Sequence, residues 1–192
     1  SPSLPVRNLK EFVALVKSKP GQFNYGSGSN AQALPMEMLK QMAGIDMKGI
    51  PYKGTGPTLV AVMSGEVIAF FGGSINTTPH VKAGRLRALA VAGDRRAQAL
   101  PDIPTVAEAG YPGYEANSWN GIVAPAGTPR AIIEKLNAAM VKVLRTEEVR
   151  KFMVGDGAEP APGTPEQFAA FLRADHAKWA RVIKAAGLRD SQ

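Results

Sequence analysis

Glycine, hydroxyl and amide side chains are concentrated in the stretch 23–31, which runs Phe-Asn-Tyr-Gly-Ser-Gly-Ser-Asn-Ala. An extended aromatic run leads into a turn, and a helical pattern follows at once, which predicts a strand, a tight loop and a helix start. The first N–H groups of a helix lack internal partners and form the positive end of its dipole, so such a place favours an anion. The sequence therefore predicts that this loop holds part of a small anionic ligand.

Two further loops, at 53–56 and 72–74, combine glycine with a hydroxyl. The first follows an extended run, 47–52, and the second follows a continuously apolar run, 67–71. Strands that alternate with helices over short links predict parallel strands and right-handed crossovers in an α/β fold. Ligands of such sheets lie beyond the carboxyl ends of the strands. Three such loops at one edge indicate a binding cleft. The alternative is that glycine and serine are simply the usual content of these turns.

Apolar spacing and end signals predict the other elements. A first helix over 8–19 begins at a capping Asn8 with Glu11 three residues later. The helix that follows the opening loop ends at Gly44, and Pro35 inside it favours a regular start later than Asn30. Further helices are predicted from Pro57 and from Thr78, then over 105–109, 128–145, from Thr146 and from Thr164. A fourth strand is predicted over 86–92, and a long extended segment over 115–124.

Composition argues against several classes of function. The 192-residue chain carries a net charge of +7, but its basic residues are scattered, whereas nucleic-acid readers concentrate positive charge on one face. We therefore expect no nucleic-acid binding. The chain has no cysteine, which removes disulfides, thiolate nucleophiles and most structural zinc sites. We expect no metal and no cofactor, because the two histidines, His80 and His176, lack ligand-like neighbours.

A hydrolytic α/β enzyme that uses Ser27 or His80 is the alternative to a binding protein. Ser27 lies between two glycines, but a nucleophile elbow has the pattern G-x-S-x-G, and no base is evident near Ser27. Ala31 stands where a dinucleotide fingerprint needs its third glycine, and the Gly-Lys-Ser/Thr of a P-loop is absent. Binding without catalysis is therefore favoured.

Five stretches of the chain form a recognisable pattern: 23–30, 50–54, 80–91, 100–110 and 124–129. Together they resemble the Bug (TctC-like) family of periplasmic solute-binding proteins, which serve tripartite tricarboxylate transporters. The segment 100–110, joined to the region of Trp119, is the most specific of them, and the resemblance covers essentially the whole chain.

The resemblance implies a type II periplasmic-binding-protein fold, a Venus flytrap of two α/β lobes that close on a carboxylate. Residues 1–118 would form the second lobe, with a parallel-rich sheet flanked by helices. Residues 119–192 would supply a crossover strand and C-terminal helices to an incomplete first lobe. The implied partners are a small organic carboxylate and the membrane permease of the transporter, in the periplasm. The chain is expected to be N-terminally truncated, to hold half a site that binds weakly or not at all, and to self-associate.

The ligand-binding residues that the resemblance implies lie on the three loops, and none is catalytic. Ser29, Ala31 and Gln32 stand where the family usually has Gly, Gly and Ser, so side chains at 29 and 31 narrow the approach to the backbone. No acid follows Phe71, where amino-acid-binding members have one, which suggests a carboxylate without an amine. The implied set is Tyr25, Ser27, Gly28, Asn30, Ala31, Tyr52, Lys53, Gly54, Phe71, Gly72, Gly73 and Ser74.

Overall fold

Helices and strands alternate in the first half of the chain, and helices alone follow in the second. The computed structural model describes residues 1–155 and 157–187. This order confirms the predicted α/β class. The elements are α1 (Leu9–Ser18), β1 (Asn24–Ser27), α2 (Asn30–Ala43), β2 (Lys48–Pro51), α3 (Thr55–Ser64), α4 (Ser74–Lys82), α5 (Arg130–Leu144), α6 (Glu147–Gly155) and α7 (Pro165–Ala185).

Side chains cap the starts of α1 and α7, as predicted. The Asn8 Oδ1 atom accepts a hydrogen bond from the Glu11 backbone N–H at 2.8 Å. Thr164 and Gln167 form a reciprocal capping box, in which each side chain accepts from the other's backbone N–H. Such caps satisfy N–H groups that the helix leaves unpaired and contribute about 1 kcal/mol each.

The sheet is smaller than the sequence predicts. β1 and β2 pair in parallel, from Asn24 opposite Lys48 to Ser27 opposite Pro51. The predicted third strand, 67–71, lies along the other side of β1, where the Gly26 N–H donates to the Ala69 carbonyl at 2.9 Å. It forms a single bridge, between Tyr25 and Ala69, instead of a regular strand. The spatial order is therefore β2, β1 and then 67–71.

The predicted fourth strand over 86–92 is wrong. Val91 forms an isolated parallel bridge with Thr105, and its N–H donates to the Pro104 carbonyl at 2.8 Å. The polar backbone groups near Val91 are thus satisfied by a later loop and not by the sheet. The predicted helix over 105–109 is a hydrogen-bonded turn.

Two helix starts that were predicted from nearby prolines are wrong. α2 begins at Asn30 although Pro35 lies inside it, and α4 begins at Ser74, four residues before the predicted Thr78, with Pro79 inside. Pro35 is buried, and its carbonyl accepts a hydrogen bond from the buried Tyr114 hydroxyl at 2.9 Å. Tertiary packing therefore offsets the helical hydrogen bond that Pro35 removes, whereas Pro79 is exposed.

The core lies in the first two-thirds of the chain. One cluster joins α1, β1, α2 and the segment around Tyr114, with Phe12, Leu39 and Val106 almost fully buried. A smaller cluster joins α3 to Val67 and Leu86. Among the described residues, the buried apolar side chains lie between positions 6 and 116, with Val182 of α7 as the exception.

The later part of the chain exposes much of its apolar surface. α5 and α6 have no buried residue, and the segment 115–124 forms no regular strand. This change in packing falls close to the predicted boundary after residue 118, which stays a prediction. Within the described residues no helix is long and apolar enough to cross a membrane. The exposed large apolar side chains here are Trp119, Ile122, Val123, Ile132, Leu136, Val143, Phe152 and Phe171.

Candidate functional site

Three helices begin at one edge of the sheet. α2 follows β1, α3 follows β2, and α4 follows the segment 67–71. Since these three segments are parallel neighbours, their carboxyl ends lie at the same edge. The residues that precede the three helices are Ser29, Gly54 and Gly73.

The starts of α2, α3 and α4 carry no side-chain cap and no acidic residue in the first turn. The N–H groups of Gln32 and Ala33 reach the Ser29 carbonyl, and those of Asn76 and Thr77 reach the Gly73 carbonyl. The preceding N–H groups have no carbonyl within their own helix to bond to. They belong to Asn30, Ala31, Thr55, Gly56, Ser74 and Ile75.

The residues that carry these N–H groups are exposed or partly exposed. Asn30, Ala31, Gly56 and Ile75 are exposed, and Thr55 and Ser74 are partly exposed. A helix start attracts anions because the unpaired N–H groups and the dipole both present positive charge. The arrangement can therefore bind an anion through backbone groups, without a metal or a basic side chain.

The loops after β1 and β2 contact each other directly. The Tyr52 N–H donates to the Ser27 carbonyl at 2.8 Å. The backbones of Gly28 and Gly54 touch, so that a Cβ atom at Gly28 would overlap the Gly54 carbonyl. The structure thus brings the predicted residues 27–31 and 52–54 together.

The third loop is shaped by its own helix. A Cβ atom at Gly72 would overlap the side chains of Phe70 and Thr77, whereas a Cβ atom at Gly73 would only make an ordinary contact, with Asn76 Nδ2 at 3.8 Å. Ser74 is the first residue of α4 and is partly exposed. The strand pairing places this loop at the same edge as the other two, and the hydrogen bonds that hold it are local to α4.

Two of the predicted aromatic residues point into the core and not towards the edge. Tyr25 is buried, and its hydroxyl donates to Glu37 Oε1 at 2.6 Å. Burial first, and then this hydrogen bond, raises the pKa of Tyr25 well above its ordinary value. The Phe71 ring stacks on Tyr114 with 6.1 Å between ring centroids. At these positions the backbone alone is placed for ligand contact.

Tyr52 and Lys53 lie at the start of the second loop. The Tyr52 hydroxyl donates to Glu66 Oε1 at 2.8 Å, and desolvation followed by this hydrogen bond raises the pKa of Tyr52. Lys53 is exposed and adds a positive charge beside the start of α3. The Lys53 ammonium therefore reinforces the preference for an anion.

Two polar residues at this edge are absent from the predicted set. Gln32 is buried to 7% exposure, and its carboxamide bonds to both Gly28 and Thr55. Thr55 is the first residue of α3 and presents a hydroxyl beside Gly54. The sequence signal for Thr55 was available, since a hydroxyl directly follows the loop glycine. Gln32 gave no such signal, because its two partners lie on different loops.

A separate open cavity of about 850 Å³ lies along α7, and its lining includes no residue of the three loops. The walls are mostly apolar. We place the candidate site at the three loops, because convergent backbone donors give anion chemistry that an apolar groove lacks. The lining residues are Trp119, Leu172, Asp175, His176, Trp179, Ala180, Ile183 and Lys184.

Comparison with known proteins assigns the family. Residues 1–188 match the family model of the tripartite tricarboxylate transporter family receptor, TctC. The chain belongs to this family. The resemblance to Bug and TctC proteins is therefore confirmed. Among curated TctC relatives, BugT of Bordetella pertussis is 33% identical over 98% of this chain, and a protein from the gbd 5′ region of Cupriavidus necator is 31% identical over 98%.

Solved structures of TctC-type proteins confirm the fold. R. palustris Rpa4515 with adipate is 34% identical and superposes on 96% of this chain with a TM-score of 0.89. MatC of Rhodopseudomonas palustris with bound malate is 31% identical over 95%, with a TM-score of 0.79. The periplasmic binding protein BugD is 30% identical over 98%, with a TM-score of 0.84.

The chain spans about three-fifths of the length of these relatives: 59% of BugT, 62% of Rpa4515 and 64% of both BugD and MatC. The family consists of solute-binding receptors, and the comparisons give the hydrolase alternative no support. Among the described residues, the Ser27 hydroxyl makes no hydrogen bond to a histidine or a carboxylate.

Proposed function

We propose that the chain is part of a solute-binding protein that captures a small organic carboxylate and has no catalytic role. One observation carries the proposal: α2, α3 and α4 begin at one sheet edge without side-chain caps and without first-turn acids. A carboxylate supplies the acceptors that these N–H groups lack. The adipate and malate bound to two relatives support this class of ligand.

The proposed contacts use backbone groups first and side chains second. The N–H groups at the starts of the three helices hold the carboxylate oxygens, and Ser27, Asn30 and Ser74 supply hydroxyl or amide hydrogen bonds. The loop glycines let the backbone approach the ligand closely; they are Gly28, Gly54, Gly72 and Gly73. The edge of the proposed site is completed by Ala31, Tyr52, Lys53 and the backbone of Phe71. Tyr25 contributes indirectly, because its buried side chain holds β1 in place.

The ligand is proposed to lack an amine. The segments 23–36, 52–58 and 70–79 contain no aspartate or glutamate. Glu66, which follows α3, is engaged with the Tyr52 hydroxyl. An ammonium group would therefore lose its hydration at this edge without gaining a carboxylate partner, which is unfavourable.

The exposed apolar side chains of the C-terminal part agree with a chain that forms only part of a receptor. We propose that residues found in the longer relatives cover α5 and α6 and supply the opposing half of the clamp. Lobe closure would then bury the ligand. The same family membership leads us to propose a periplasmic location and delivery of the ligand to a membrane permease.

The binding test is a titration of the chain with adipate, followed through backbone amide shifts in ¹H–¹⁵N spectra. We expect weak, millimolar binding, with shifts at residues 30–31, 55–56 and 74–75. The uncharged adipamide is the matched ligand control and should cause none. Equal shifts with adipamide, or no shift with adipate, malate or citrate, would contradict the proposal. Micromolar binding by this chain alone would contradict the expectation that the chain holds only half of the binding site.

A matched pair of variants tests whether the uncapped starts matter. Asn30→Asp places a carboxylate in the first turn of α2, where it competes with the ligand, and should weaken adipate binding about tenfold. Asn8→Asp makes the same chemical change at the capped start of α1, where aspartate also caps well, and should leave binding unchanged. Equal effects of the two variants would remove the special role of the three loops.

Self-association of the chain tests whether the exposed apolar surface of α5 and α6 is left uncovered. Leu136 of α5 is 52% exposed within this apolar surface, and contiguous exposed apolar patches promote association. We expect light scattering to show concentration-dependent oligomers of the chain, and Leu136→Gln to reduce them. A monomer at every concentration would argue against the proposal that further residues cover the apolar surface of α5 and α6.

A further inference from the structure

Gln32 ties the first two loops together through both ends of its carboxamide. Its Oε1 atom accepts from the Gly28 N–H at 2.7 Å, and its Nε2 atom donates to Thr55 Oγ1 at 2.9 Å. The side chain is buried to 7% exposure, where an unpaired amide is costly. The bridge therefore joins the loop after β1 to the first residue of α3.

The chemistry of the bridge fixes its direction. A backbone N–H can only donate, so the end of the carboxamide that faces Gly28 must be the oxygen. The NH₂ group must then face Thr55, whose hydroxyl oxygen accepts. A hydroxyl that accepts in this way keeps its one hydrogen for another acceptor. Among the described residues no acceptor takes the Thr55 hydrogen, and Thr55 is partly exposed at the edge.

We propose that Gln32 is a positioning residue of the carboxylate site, which turns the Thr55 hydroxyl into a hydrogen-bond donor to the ligand. The inference rests on the proposed function and adds two residues to it. Gln32 also occupies the Gly28 N–H, so the ligand is held by the N–H groups of the α2 and α3 starts and by the Thr55 hydroxyl. Gln32 acts through Thr55 and does not touch the ligand.

The test measures adipate affinity of the chain by amide shifts for four variants. Thr55→Val removes the hydroxyl at nearly constant shape and should weaken adipate binding about tenfold, as expected for a hydrogen bond to a charged group. Thr55→Ser keeps the hydroxyl and should restore most of the affinity. Gln32→Met removes the bridge and should weaken binding to a similar extent. Gln41→Met is the matched control on the outer part of α2 and should change nothing.

The double variant of Gln32→Met and Thr55→Val separates positioning from general structural support. If Gln32 acts through Thr55, the double variant binds adipate no more weakly than Thr55→Val alone. Fully additive losses would overturn the proposal. So would wild-type affinity in Thr55→Val, a result that does not depend on whether Gln32→Met folds.

Hydrogen exchange at Gly28 supplies a readout that needs no ligand. The Gly28 amide should exchange slowly in the wild-type chain and about fivefold or more faster in Gln32→Met, because its one acceptor is lost. Unchanged exchange would overturn the bridge even if adipate binds. If the wild-type chain shows no shift with any carboxylate, the proposed function fails and this inference with it. If adipate shifts the wild type but Thr55→Val matches it, this inference alone fails.

Discussion

The α/β part, residues 6–116, and the helical C-terminal part, residues 119–185, contrast in how they bury apolar side chains. In the first part, Phe12 of α1 is 1% exposed and α1, β1 and α2 share one core. In the second, Phe152 of α6 is 70% exposed, and α5 buries no residue. Both parts form helices, so helix formation alone does not produce a core.

The difference separates local from tertiary stabilisation. α7 has a complete capping box, and Trp119 packs edge-on against Phe168 and Phe171 at 5.6 Å between centroids. These contacts are local to the C-terminal part, where side chains such as Leu136 still face solvent. Apolar stripes on helices need a partner surface, and the α/β part supplies one to Trp179 and Val182 of α7.

The largest expected effect comes from removing the same ring in the two parts. Phe12→Ala should lower the free energy of unfolding by about 3–5 kcal/mol, because it leaves a cavity in a closed core. Phe152→Ala should change it by no more than about 0.5 kcal/mol, because the ring already faces water. Urea unfolding of the chain measures both. If Phe12→Ala proves too unstable, Phe12→Leu gives a smaller, measurable loss.

A large loss for Phe152→Ala would contradict the contrast, since it would show that α6 packs against a surface in solution. The concentration dependence of the loss distinguishes the cause. A loss that grows with protein concentration would indicate that self-association buries Phe152, which would support the proposal that the apolar surface of α5 and α6 is left uncovered.

Local signals in the sequence were enough to predict the capped helices. Asn8 with Glu11, and Thr164 with Gln167, lie three residues apart and act within one turn. The three loops were predicted for the same reason, since glycine and a hydroxyl next to an apolar run mark the end of a strand. These features depend on neighbours in the chain, and periodicity reports neighbours well.

Features that depend on distant partners could not be predicted. Pro35 stays inside α2 because the segment around Tyr114 packs on it, and Val91 leaves the sheet because Thr105 pairs with it. Tyr25 was expected at the ligand, but Glu37, on the next helix, holds its hydroxyl in the core. The Gln32 bridge belongs to the same class, because it links Gly28 to Thr55 on another loop.

The second expected effect sharpens the contrast at the loops. Gly28→Ala should lower the free energy of unfolding by about 1–3 kcal/mol, because its Cβ atom would overlap the Gly54 backbone, which cannot move as a side chain can. Gly155→Ala is the matched control: Gly155 is the last residue of α6, and apart from its chain neighbours and the backbone of its own helix nothing lies within 4 Å of the added Cβ atom. It should be neutral or slightly stabilising. Equal losses in urea unfolding would show that the two loops are not in contact.

The smallest expected effect uses the tyrosines, which all lie between positions 25 and 114. Burial raises the pKa of Tyr114 above its ordinary value, so the folded chain keeps the phenol proton that the unfolded chain loses above about pH 10. Stability from this group is therefore complete below pH 10 and falls above it, by up to about 1.4 kcal/mol per pH unit.

Tyr114→Phe should cost about 1 kcal/mol at pH 7, since it removes the hydrogen bond to the Pro35 carbonyl. Above pH 10 its stability should fall less steeply with pH than that of the wild type, because one buried phenol no longer has to ionise on unfolding. Urea unfolding at pH 7, 10 and 11 measures both quantities, and Tyr52→Phe, at a partly exposed site, is the control with a smaller change. Parallel pH curves for wild type and Tyr114→Phe would mean that the α/β core admits solvent at Tyr114. The contrast with the open C-terminal part would then be one of degree.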